Sequence, residues 1–133
     1  LGVLMLFTSY FTRAGYHPKS LSISRYAPSD FKGGAYPALA PSQELLLDYK
    51  RGVVDDVEYT RRFMGQLSLL DPHKVVNDIP PGSILLCYEG SRHFCHRHIV
   101  AVWLEQHTGT LVQEITSFDV EKFITMAKRQ ETI

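Results

Sequence analysis

Charge of one sign is what this 133-residue chain lacks, because fourteen basic residues offset fourteen acidic ones. No molecule-wide field then exists to hold nucleic acid or an anionic membrane nonspecifically, and charge recognition is left to local patches. Cysteine is scarce too. Two in a chain this long do not build a disulfide framework, and thiols beside His and Arg are expected to be reduced in a cytoplasmic protein. Long apolar runs are also missing. Leu1-Gly2-Val3-Leu4-Met5-Leu6-Phe7 is too short to span a bilayer and has neither a basic flank nor a small-residue cleavage site, so it reads as a buried strand and no membrane role is expected. The first residue is not methionine, and Met5 is a candidate natural start. Internal repeats and low-complexity segments are absent, while 44% hydrophobic content suffices for one core, so a single domain over residues 1–133 is expected.

What is present concentrates between Ser83 and Ala101, which hold both cysteines, three of the six histidines, two arginines and Glu89. Pro80-Pro81-Gly82 stops the preceding segment, and the apolar run Ile84 to Tyr88 has the length of a strand buried on both faces. Ile99, Val100, Trp103 and Leu104 then recur at helical spacing, with Gly109 placed to end that helix. The polar cluster therefore lies between a strand end and a helix start, the corner where open α/β sheets bind ligands.

Elsewhere the chain alternates strand and helix signals. Val3 to Ser9 and Leu21 to Ser24 read as strands expected to lie side by side, and residues 25–41 as an irregular segment, either a functional loop or a surface flap pinned by Tyr26, Phe31 and Tyr36. Ser42 is a suitable cap for a helix closed by Gly52, and Asp55 with Glu58 resembles a capping box ahead of the stripe Tyr59, Phe63, Leu67 and Leu70. Asp71-Pro72 opens a short helix through about Asn77, Leu111 to Ile115 reads as a strand, and Asp119 caps a final helix through about Arg129. A strand, helix, strand crossover of this length implies parallel pairing.

The cluster supports several chemistries. Cys95 near the first turn of a helix sits where free N–H groups and the dipole favour a thiolate, and neighbouring Arg97 and histidines add positive potential. Glu89 is placed to orient or deprotonate a histidine such as His96, with Cys87 close by in sequence. The plainer reading makes both cysteines small buried residues. The loop between the strand end and the helix start is expected to bring Cys87 and Cys95 within disulfide reach, reduced at rest and able to pair on oxidation. Arg97, a cation at a helix start, needs a negative partner, either Glu89 as a structural clamp or a bound anion. No metal site is expected: His96 and His98 point about 160° apart on a helix, and the candidate ligands lack the paired knuckles of structural zinc sites. Cys87 to Arg92 also looks like the anion-cradling active loop of rhodaneses, although there the helix follows the arginine directly.

Leu86-Cys87-Tyr88-Glu89, Cys95-His96-Arg97, Val100-Ala101 and Leu104 together resemble the signature of the domain-of-unknown-function 488 family. Ser24-Arg25-Tyr26-Ala27-Pro28 and Ala40-Pro41-Ser42 are similar to it as well. The resemblance implies a small three-layer α/β domain found in bacteria and their phages, with Cys87, Glu89, Cys95, His96 and Arg97 as motif positions, Arg25 as a weaker one, and no established activity.

The expected architecture is thus a single-domain three-layer α/β/α fold with a mainly parallel central sheet. The expected function is a Cys/His-dependent enzyme acting on an anionic, nucleotide-like or nucleic-acid-like ligand. Cys95, His96, Glu89 and Cys87 are its candidate catalytic residues, Arg97, Arg25 and Arg92 its candidate anion-binding residues, and no cofactor is expected. The alternative is a noncatalytic anion- or nucleic-acid-binding module with structural cysteines.

Overall fold

A computed structural model describes residues 5–90 and 93–116. Five strands form one sheet: β1 (Met5–Tyr10), β2 (Ser20–Ser22), β3 (Gly34–Ala35), β4 (Ile84–Cys87) and β5 (Leu111–Glu114), in the order β3-β2-β4-β1-β5. Every pairing is parallel, with Phe7 opposite Ile84, Met5 opposite Leu111 and Ser20 opposite Ile84. The expected adjacency of the first two strands is corrected here. β4 lies between β1 and β2, because its four residues are buried on both faces and take the most sheltered place available beside β1.

Alternation along the strands sorts side chains onto two faces. Leu6, Leu85 and Val112 point to the side covered by α2 (Gln43–Lys50), α3 (Asp56–Leu67), α4 (Pro72–Asp78) and α5 (His96–Thr108). There they join Leu45, Tyr59, Phe63, Leu67, Val75, Val100, Trp103 and Leu104 in one buried cluster. Met5, Phe7, Ile84 and Leu86 face the other way, against Ala14 and Phe11 of the short α1 (Phe11–Ala14) and against Phe31. Helical layers on both sides of a parallel sheet make this an α/β fold of three layers.

Caps fix the helix starts as their sequences predict. Ser42 Oγ accepts the Leu45 N–H at 3.2 Å, Asp55 accepts that of Glu58 at 2.8 Å, and Asp71 accepts those of His73 and Lys74. Gly109, at φ 71°, ends α5 in the left-handed conformation that glycine adopts without strain. The helix expected from Asp119 lies outside the described residues. Among the described residues no helix is long and apolar enough to cross a membrane.

β4 and β5 flank β1 on opposite sides, so the connection through α5 crosses over β1. This puts the start of α5 above the carboxyl ends of β4, β1 and β5 together, and the chain's polar cluster with it.

Candidate functional site

Cys87 is the last residue of β4 and Cys95 the N-cap of α5, so strand and helix deliver the two sulfurs to one point. The sulfurs are bonded as a disulfide. The expectation of two nearby but unbonded thiols is therefore met in position and corrected in bonding.

His96, in the first turn of α5, is buried against the Phe63 ring with centroids 5.4 Å apart. Its Nε2 lies 2.6 Å from the Ile23 carbonyl oxygen, and its Nδ1 lies 3.8 Å from Cys95 Sγ. A carbonyl can only accept, so Nε2 carries the hydrogen and the Nδ1 lone pair faces the sulfurs. Burial pushes this imidazole down to about 4, with the Arg97 and His98 charges acting in the same direction against the raising effect of the Ile23 bond. It is neutral at pH 7. Glu89 is not its partner: that side chain is exposed on the rim, and the orienting group is the Ile23 carbonyl.

Arg97 is fully buried. Its Nε and one terminal nitrogen grip the two Glu114 carboxylate oxygens at 3.0 and 2.9 Å, while the other terminal nitrogen donates to Cys87 Sγ at 3.0 Å and to the Glu89 backbone carbonyl at 2.6 Å. Thr8 adds a hydroxyl bond to Glu114 at 2.7 Å, and the Tyr10 ring lies 5.8 Å from the guanidinium carbon. The expected clamp exists with a different acid: the Glu114 carboxylate replaces that of Glu89, which contributes only its carbonyl. A guanidinium so enclosed is not placed to bind an external anion.

One cavity of about 330 Å³ opens over the cluster. Cys87, Cys95 and His96 form its floor, and Tyr26, Tyr49, Tyr59, Tyr88 and Phe94 supply aromatic walls. Tyr49, Tyr59 and Phe94 stack edge to face or tilted, with centroids 5.0 to 5.6 Å apart. The Tyr88 hydroxyl donates to the Tyr26 carbonyl at 2.6 Å, tying the loop after β2 to the loop after β4. Arg25 and Lys50 are exposed at the rim. Tyr59 is held well above the usual phenol range, first by burial and then by the Glu89 charge and Tyr49, so it remains a protonated hydroxyl. The floor has the chemistry of a metal centre as well: the donor atoms of Cys87, Cys95 and His96 all lie within 4.8 Å of one another. His98 is not among them.

A family model described as the active DUF488-N3 subclade matches residues 12–108. The chain belongs to the DUF488 family. No curated protein and no solved structure matches it. The segment matched to the DUF488 model contains Arg25, Cys87, Glu89, Cys95, His96 and Arg97 but ends short of Glu114. Of the residues singled out in sequence, Cys87, Cys95, His96, Glu89 and Arg25 border the one cavity, Arg97 lies behind it, and Arg92 lies outside the described residues. Sequence reasoning missed Glu114, Lys50 and most of the aromatic wall. Tyr49 and Tyr59 sit in apolar helical stripes like any core residue, and nothing in their spacing marks them as lining a cavity.

Proposed function

We propose that this DUF488 protein is an enzyme acting on an anionic, nucleotide-like ligand, with the cluster Cys87, Cys95 and His96 as its reactive floor. The observation that carries this reading is the meeting, in one cavity, of a sulfur and imidazole floor, an aromatic wall and two rim cations. Aromatic faces stack on planar bases, with a gain of about 1–3 kcal/mol per base. Arg25 and Lys50 supply charge for a phosphate, and Glu89 supplies an acceptor for a base or sugar donor. The description of the matched subclade as active supports a catalytic role. In a reducing, cytoplasmic setting both sulfurs are thiols, Cys95 at a helix N-terminus and Cys87 beneath the Arg97 guanidinium, each placed to favour its thiolate. The neutral His96 presents the Nδ1 lone pair toward Cys95, 3.8 Å away, as a hydrogen-bond acceptor.

A second reading, a noncatalytic anion- or nucleic-acid-binding module, is favoured by the Cys87–Cys95 disulfide, which leaves neither sulfur reactive. Equilibrium titration with nucleoside monophosphates tests what the two readings share. Arg25→Gln is expected to weaken binding roughly tenfold, the equivalent of one exposed charge-assisted contact of about 1.4 kcal/mol. Equal affinity in both proteins, or none in either, contradicts it. Alkylation of the reduced protein separates the readings: rapid modification well below pH 8.5 belongs to the enzyme and ordinary thiol behaviour to the module.

A further inference from the structure

We propose that, with its two cysteines reduced, the protein binds one zinc ion through Cys87 Sγ, Cys95 Sγ and His96 Nδ1, leaving a fourth coordination position open to the cavity. This departs from the absence of metal expected from sequence. That expectation rested on the divergence of His96 and His98 along one helix and on the lack of paired knuckles; the fold instead brings Cys87, alone at the end of β4, to Cys95 and His96, and His98 takes no part.

Three independent features support the assignment. The first is donor spacing. Zn–S bonds of about 2.3 Å and Zn–N bonds of about 2.0 Å at tetrahedral angles put neighbouring donors roughly 3.5 to 3.8 Å apart. Cys95 Sγ and His96 Nδ1 already stand 3.8 Å apart and the whole trio lies within 4.8 Å, so the two sulfurs, bonded to one another here, need only part once reduced to take up the spacing of a shared ion. The backbone spacing agrees, since the Cα atoms of Cys87 and Cys95 are 7.3 Å apart, beyond the 4.4–6.8 Å usual for a disulfide.

The second is the outer shell. A ligating histidine ordinarily donates its other N–H to a carbonyl or carboxylate, which fixes the tautomer and aims the lone pair. His96 does this toward Ile23, and Arg97 donates to Cys87 Sγ as an outer-shell cation would to a metal-bound thiolate.

The third is charge and access. Two thiolates and a divalent cation sum to zero, and Arg97 is already neutralised by Glu114, so the buried centre carries no net charge. All three donors also line the cavity, so an ion there has three protein ligands and a face toward any occupant. That is the coordination of catalytic rather than structural zinc. The inference rests on the preceding reading only in placing the reactive group on the cavity floor; it makes the thiols ligands rather than nucleophiles and leaves the ligand class unchanged.

Conversion from the disulfide is a two-electron reduction. With a water-soluble phosphine, one phosphine, one water and the disulfide give one phosphine oxide and two thiols, and zinc then displaces the two thiol protons. The full chain, reduced in this way and stripped with a chelator, is titrated with zinc chloride alone by calorimetry. One equivalent is expected to bind with release of about two protons, read from the dependence of the heat on buffer ionisation. Cobalt(II) in place of zinc is expected to give a thiolate-to-metal charge-transfer band, and zinc to protect both cysteines from iodoacetamide. The single variants Cys87→Ser and Cys95→Ser are each expected to lose at least tenfold in zinc affinity. Where these variants do not fold, the alkylation of the unaltered chain decides. Less than about a tenth of an equivalent bound, or equal alkylation with and without zinc, overturns the inference. Zinc bound without any nucleotide affinity defeats the nucleotide reading alone, and nucleotide affinity without zinc binding defeats this inference alone.

Discussion

At the scale of single residues, His96 has the clearest consequence for solution behaviour. An unfolded imidazole titrates near 6.5, while burial holds the folded one near 4, so between those values the unfolded chain binds more protons. Stability therefore rises with pH across that window. It is fully present above about 6.5, falls as pH drops through that value, and stops changing on this account below about 4. A shift of this size corresponds to roughly 3 kcal/mol, lost on acidification. Urea unfolding of the metal-free, disulfide-bonded protein at a series of pH values is expected to show that loss on top of the common carboxylate effect, and His96→Gln to be flatter by about the same amount. Parallel slopes for the two proteins are the contrary result. Sequence showed His96 as one of three crowded histidines. What distinguishes it is the Ile23 carbonyl 73 positions away, a contact no local pattern reveals.

At the scale of elements, Arg97 is the joint that binds α5 to the ends of β4 and β5. A cation in the first turn of a helix opposes the dipole, and its burial compounds that cost, so a close carboxylate is required. Glu114 meets the requirement with two bonds from a side chain that is itself 17% exposed. Arg97→Met strands that acid and is expected to cost about 3 kcal/mol in denaturant unfolding. Glu114→Gln in the same chain is expected to return part of the loss, because the two residues form one network and their effects do not add. Unchanged stability of Arg97→Met contradicts the clamp. Sequence made it legible that Arg97 needs a negative partner, and also where α2, α3 and α4 begin and α5 ends, since Ser42, Asp55, Asp71 and Gly109 signal locally. The identity of the partner was not legible. Glu89 is near in sequence but faces solvent, and Glu114 becomes a neighbour only because β5 enters the sheet on the far side of β1.

At the scale of the molecule, the parallel sheet and the gathering of the polar cluster at the carboxyl end of β4 were readable from one buried apolar run followed by a polar loop and a helix. Strand order was not, because hydrophobicity identifies buried strands without saying which pair. The cavity was half legible for a related reason. Its floor came from residues of unusual chemistry, whereas its aromatic walls come from α2, α3 and the loops after β2 and β4, whose apolar residues look like ordinary core. This cavity is where we propose that the protein meets its ligand. Amide chemical-shift mapping during titration with a nucleoside monophosphate tests it most directly. Perturbations are expected at Ser24, Arg25, Lys50, Tyr88 and Phe94, with the far-side residues Tyr16 and His17 unmoved; shifts confined to that far side, or none at millimolar nucleotide, contradict the claim.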